Sequence, residues 1–135
     1  MMQHVHLVVW IDHQAARLVA LEGEAAVWRK VSSTRRHQHL HHKANESGSG
    51  HVGIDTDYLE RVAQALEGYS RVLLTGPAGA KLELMSHLER RHPRFASCIV
   101  GIEPTDHLSD GELVAFGRRF FHMNDRMHSP VAARR

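Results

Sequence analysis

The side chains with the most chemical potential lie in one stretch of this sequence. From Ala25 to Asn45 there is no acidic residue, while Arg29, Lys30, Arg35, Arg36 and Lys43 supply five fixed positive charges. His37, His39, His41 and His42 place imidazoles among them. Clustered cations neutralise phosphates and release counterions, which gives affinity that falls steeply with salt. Imidazole rings stack on unpaired bases and gain charge near their reference pKa of about 6.5. Thirteen of the 135 residues are His, so the formal net charge of +2, counted with neutral rings, understates the positive charge below neutrality. On a flexible loop, such a stretch is an arm that seeks a polyanion.

Other residues invite chemistry less strongly. His39, His41 and His42 offer nitrogen ligands to Zn²⁺ or Ni²⁺. Their H-x-H-H spacing has no second ligand pair and no nearby Cys, so no dedicated metal site and no cofactor is expected. Asp12 ends an apolar run, where a carboxylate can hold Mg²⁺ in a nuclease together with others such as Asp55, Asp57, Glu60 or Asp106. No spacing brings these to one point, and ordering a turn with His13 accounts for Asp12 more simply. The run Gly76-Pro77-Ala78-Gly79-Ala80-Lys81 leads into a helix, and Lys81 with the helix amides can meet an RNA phosphate. It lacks the G-x-x-x-x-G-K-[ST] pattern, and Pro77 and Gly79 serve as turn formers. Cys98 reads as a core thiol within a strand, and Ser32, Ser33 and Ser47 belong to no nucleophile elbow. No catalytic residue is assigned.

The elements that must position these residues follow from periodicity. Val5–Asp12, Ala16–Leu21 and Ala25–Ser32 are apolar or alternating runs on short connections, with Glu22-Gly23-Glu24 a hairpin signal. They predict an antiparallel meander. Residues 33–53 hold only Leu40 and Val52 as sizeable aliphatics and include Ser-Gly-Ser-Gly, which predicts a long mobile loop. Helices are predicted over 55–66, with Leu59, Val62, Ala63 and Leu66 inward, and over 80–91, with Leu82, Met85 and Leu88 inward. A strand is predicted at 71–75 and another at 96–102. Ser109 and Glu112 form a capping box for a last helix to about Phe121, with Leu113, Phe116, Gly117, Phe120 and Phe121 inward.

This β-β-β-α-β-α-β-α order predicts one α/β domain over residues 1–123, with a mixed five-stranded sheet of order 3-2-1-4-5 and helices packed on it, the ribonuclease H-like arrangement. Residues 124–135 read as a polar tail. The apolar fraction of 42% suits a globular chain, and one Cys excludes an internal disulfide. No run approaches the ~20 apolar residues of a membrane helix and no secretory signal is visible, so a cytoplasmic protein with no membrane partner is expected.

Four segments carry a resemblance: VVWIDHQAARLVAL, the His/Lys/Gly-rich loop, RVLLTGPAGAKLELMSHLERRHP and IVGIEPTDHLSDGELVAFGRRFF. Over about residues 5–122 the chain resembles a family of small bacterial translational machinery proteins. That family is similar to the central domain of archaeo-eukaryotic release factor one and of Pelota. The resemblance implies ribosome association, with ribosomal RNA or tRNA as partner, in ribosome rescue or stress-linked ribosome occupancy. It also implies a protein partner supplying the decoding and GTPase-binding domains, for which 135 residues leave no room. In the release factor the long loop carries a Gly-Gly-Gln tripeptide that promotes peptidyl-tRNA hydrolysis. Here the loop has Gly48, Gly50, Gly53 and Gln38 but no such tripeptide, as in Pelota, so the resemblance implies a non-catalytic factor. The RNA contacts are assigned to Arg29, Lys30, Arg35, Arg36, His37, His39, His41, His42, Lys43 and Lys81. The competing readings are a metal-dependent nuclease or peptidyl-tRNA hydrolase, and a metal-binding or protein-interaction module.

Overall fold

The computed structural model describes residues 4–34 and 55–127. Three strands come first: β1 (His4–Ile11), β2 (Ala15–Glu22) and β3 (Ala25–Ser32). They are followed by α1 (Thr56–Gln64), β4 (Tyr69–Gly76), α2 (Ala80–Arg91), the single turn α3 (Pro93–Ala96), β5 (Ile99–Pro104) and α4 (Asp110–Met127). The strands form one sheet ordered β3-β2-β1-β4-β5. The β1–β2 and β2–β3 pairs are antiparallel, and β1–β4 and β4–β5 are parallel. This is the mixed α/β sheet expected from the order of the elements.

Alternation along the strands divides the core. Leu7, Val9 and Ile11 of β1 face α1 and α2 together with Leu18, Ala20, Val72 and Leu74. Val8 and Trp10 face α4 with Val19, Leu21 and Leu73. Strand β1 is therefore buried on both faces, as its unbroken apolar run requires. Helix α4 lies so close to the sheet that a Cβ on Gly117 would stand 2.5 Å from Val8 Cγ2. The capping box forms as expected: Glu112 N–H donates to Ser109 Oγ at 3.1 Å, and Ser109 N–H to the Glu112 carboxylate at 2.9 Å.

Four expectations change. Pro93 opens α3 instead of merely ending α2, because proline suits the first position of a helical turn. That moves the last strand to residues 99–104 and leaves Cys98 in a half-buried turn, its thiol 3.5 Å from the Arg94 carbonyl. On α2 the inward face is Ala80, Lys81, Leu84, His87 and Leu88, and Leu82 is 56% exposed. Residues 124–127 form the end of α4 instead of a tail. Asp125 pairs with Arg71 at 2.7 Å and with His6 at 2.9 Å, and Asn124 accepts from Arg71. Residues 128–135 lie outside the described residues. No helix among the described residues is long and apolar enough to cross a membrane.

Candidate functional site

Strands β1, β3, β4 and β5 all finish at one rim of the sheet, and the cation-rich segment departs from it. Asp12 organises this rim. Its Oδ1 accepts from Gln14 N–H at 2.8 Å and Ala15 N–H at 2.9 Å, closing the β1–β2 turn. Ser33 N–H then donates to the Gln14 carbonyl at 2.8 Å, and Arg61 donates to the Ser32 carbonyl at 2.8 Å. The buried Tyr58 hydroxyl donates to the Asp12 carbonyl at 3.0 Å. Burial, followed by the charge of Asp12, raises the Tyr58 phenol above its ordinary value. Asp55 starts α1 by accepting from Asp57 N–H at 3.1 Å. The segment thus leaves at Thr34 and returns at Asp55, both beside the Asp12 turn.

This arrangement commits Asp12 to structure. The second carboxylate oxygen of Asp12 stands 4.0 Å from the exposed His107 ring. Among the described residues, the group of His, Cys, Asp and Glu ligand atoms that converges closely enough for a metal is Glu60, His87 and His92, which excludes Asp12, Asp55, Asp57 and Asp106. Among the described residues, no carboxylate cluster of a nuclease is assembled around Asp12.

Arg35, Arg36, His37, His39, His41, His42 and Lys43 lie outside the described residues. Arg29 and Lys30 are exposed on β3, the edge strand, and point to opposite faces. Arg29 sits opposite Leu18 on the α1–α2 face, and Lys30 opposite Arg17 on the α4 face. Arg17 is held by Asp110 at 2.8 Å and by the Leu108 carbonyl at 2.7 Å, over the ring of Trp10. Trp28, 36% exposed, shares the α4 face with Lys30. Lys81 does not present a free ammonium. It is 7% exposed, and its Nζ donates to the Ala78 carbonyl at 2.6 Å, bracing the turn in which Ala78 takes a φ of 51°.

Sequence reasoning missed the side-chain cluster between α1 and α2. Glu60 Oε1 accepts from Nε2 of His87 at 2.8 Å and of His92 at 2.9 Å. Its Oε2 accepts from His92 at 2.9 Å and from Gln64 at 2.7 Å. These hydrogen bonds, that of His92 first, then Gln64 and His87, pull the Glu60 carboxyl from 4.5 down to about 2. His87 is 1% exposed, and its Nδ1 has no hydrogen-bond partner among the described residues. His92 closes α2, its N–H donating to the Leu88 carbonyl at 2.7 Å and its ring stacked on Phe95 at 5.2 Å. The available signal was the H-x₄-H spacing at the end of α2, together with a true inward stripe that runs through His87.

No protein-family model and no curated protein matches the chain by sequence. Solved structures do match by fold. Pelota of Archaeoglobus fulgidus superposes with a TM-score of 0.60 at 14% identity, over 84% of this chain and 30% of that one. The archaeal translation termination factor aRF1 gives 0.50 at 14% identity, over 80% and 32%. Dom34 of S. cerevisiae, a translation termination-like factor involved in RNA quality control pathways and interacting with Hbs1, gives 0.50 at 10% identity, over 96% and 34%. The chain spans about a third of the length of these neighbours. What it shares with them is the fold, that of a Pelota and release-factor-like central domain.

Proposed function

We propose that this protein is a non-catalytic, ribosome-associated RNA-binding factor of the cytoplasm, acting in ribosome rescue or stress-linked ribosome occupancy. Its partner is ribosomal RNA or tRNA, and it acts there together with a protein partner. The observation that carries this reading is the placement of the acid-free segment. It runs along β3, where Arg29 and Lys30 are exposed, and the chain leaves and re-enters the described fold at one well-braced rim. The scaffold so anchored has the fold of known translation factors.

The edge of the sheet adds a second argument. Lys30 lies directly across from Arg17, and like charges in directly opposed positions destabilise a sheet. Arg17 is neutralised by Asp110, whereas Lys30 has no ionic partner among the described residues. A phosphate beside Lys30 removes that cost. Arg35, Arg36 and Lys43 engage further phosphates. His37, His39, His41 and His42 stack on bases and strengthen binding as pH falls. Lys81 shapes the turn before α2 and contributes no direct contact in this reading.

The test is ribosome co-sedimentation across a salt series. Each phosphate contact contributes roughly 0.7–0.9 to the slope of log K against log salt. Replacing Arg35, Arg36 and Lys43 with Ala should lower the slope by about 2–3 and weaken binding at all salts. Adding Lys30→Glu should weaken it further. An unchanged slope in the triple variant overturns the reading.

A further inference from the structure

The cluster between α1 and α2 has no part in that reading, and its chemistry points elsewhere. Three ligand atoms from separate positions in the fold (Glu60 on α1, His87 within α2, His92 at its end) lie within 4.8 Å of one another. The two imidazoles are held in place before any ligand arrives. His87 is buried among the residues of the α1–α2 face, and His92 is held by its cap and by Phe95. The groups that touch the Glu60 carboxylate are two imidazoles and the Gln64 amide. No Lys or Arg is among the groups hydrogen-bonded to this carboxylate, so an entering cation displaces no fixed positive charge from it.

We propose that Glu60, His87 and His92 bind one first-row divalent cation of the zinc type. Two imidazole nitrogens and one carboxylate oxygen form a donor set that suits such ions and not Mg²⁺ or Ca²⁺. Donors at about 2.0–2.1 Å from a tetrahedral ion stand about 3.4 Å apart. The present contacts of 2.8 and 2.9 Å must therefore open by about half an ångström. Glu60 is the ligand that can yield, since its side chain is 36% exposed while those of His87 and His92 are 1% and 23%. Its open side leaves the fourth position to water. On binding, each neutral ring gives its Nε2 lone pair to the ion and carries its proton on Nδ1. The His87 Nδ1 has no acceptor among the described residues, and a missing outer partner typically weakens metal affinity by about 10–100-fold. The site is accordingly one of moderate affinity.

The experiment uses the full chain with His37, His39, His41, His42 and His51 replaced by Gln, so that the other imidazole-rich stretch is silent. Equilibrium dialysis against Zn²⁺ should leave one ion per chain, and Co²⁺ should give the visible absorption of a low-coordinate site. The ring nitrogen resonances of His87 and His92 should move on Zn²⁺ addition, while those of His13 and His122 stay. Glu60→Gln and His92→Gln, checked for folding by circular dichroism, should each weaken binding at least ~10-fold. The proposal is overturned if the Gln-substituted chain takes up no Zn²⁺ at about 100 µM. It is equally overturned if both folded variants bind as tightly as their parent. Neither result bears on ribosome binding, which is read separately.

Discussion

Tyr58 shows how much a single side chain can tie together at the rim. Its ring is buried between α1 and the sheet, and its hydroxyl reaches the Asp12 carbonyl. Because burial and the Asp12 charge raise the phenol above 10.0, the unfolded chain ionises first as pH climbs. The stability gained by burying the neutral phenol is complete below about pH 10. It is lost as pH rises from there toward the folded value. At about pH 9, Tyr58→Phe should lower the urea midpoint by the equivalent of ~1 kcal/mol, one hydrogen bond. By about pH 11 the gap between the two chains should close or reverse. A gap that stays constant would show that the phenol ionises alike in both states. Asp12 itself was legible from the sequence as a strand-ending, turn-ordering residue. The Tyr58 bond was not, because it joins positions 46 apart whose meeting depends on where α1 docks.

Helix α2 is where local pattern and packing part company. Its length and its strand–turn–helix context were readable, but its phase was not. Leu82, Met85 and Leu88 make a plausible apolar stripe, yet the helix turns Leu84 and Leu88 fully inward and brings Lys81 and His87 with them. A polar residue on the inner face hides a stripe from any count of apolar spacing. Here each such residue is satisfied only by tertiary contacts, Lys81 with Ala78 and His87 with Glu60. The phase can be checked by paired truncation. Leu84→Ala should cost about 2–5 kcal/mol in chemical denaturation, as expected for a core leucine. Leu82→Ala, at the surface, should stay within about 0.5 kcal/mol. Equal losses would place the stripe where the sequence pattern alone puts it. Helix α4 illustrates the same limit at a boundary. Its start was fully specified by Ser109 and Glu112. Its last turn depends on Arg71 and His6 from the distant strands β4 and β1.

At the scale of the molecule, the strand order followed from connection lengths and the right-handed rule for crossovers. Those constraints act through the backbone and need no knowledge of side-chain contacts, which is why the architecture was legible while the Glu60 cluster was not. Among the described residues, the core clusters are built from the elements on either side of 35–54. Replacing 35–54 by a Gly/Ser linker of ~8 residues should therefore preserve the circular dichroism spectrum. Loop-closure entropy changes by less than about 1 kcal/mol for such a shortening, in the stabilising direction. Thermal melting should show a midpoint equal to or slightly above that of the full chain, and ribosome co-sedimentation should be abolished. A collapse of the melting transition would mean that the segment is part of the core.

The shared rim on which the chain departs and returns has an evolutionary corollary. With both attachment points braced by Asp12 and its neighbours, the stretch between them should be exchangeable, like a cartridge. It can diverge in length and composition, or be traded for another, under selection that the sheet never feels. Kinship among proteins of this architecture should accordingly be legible in the rim and its bracing, even where the cartridges have nothing in common.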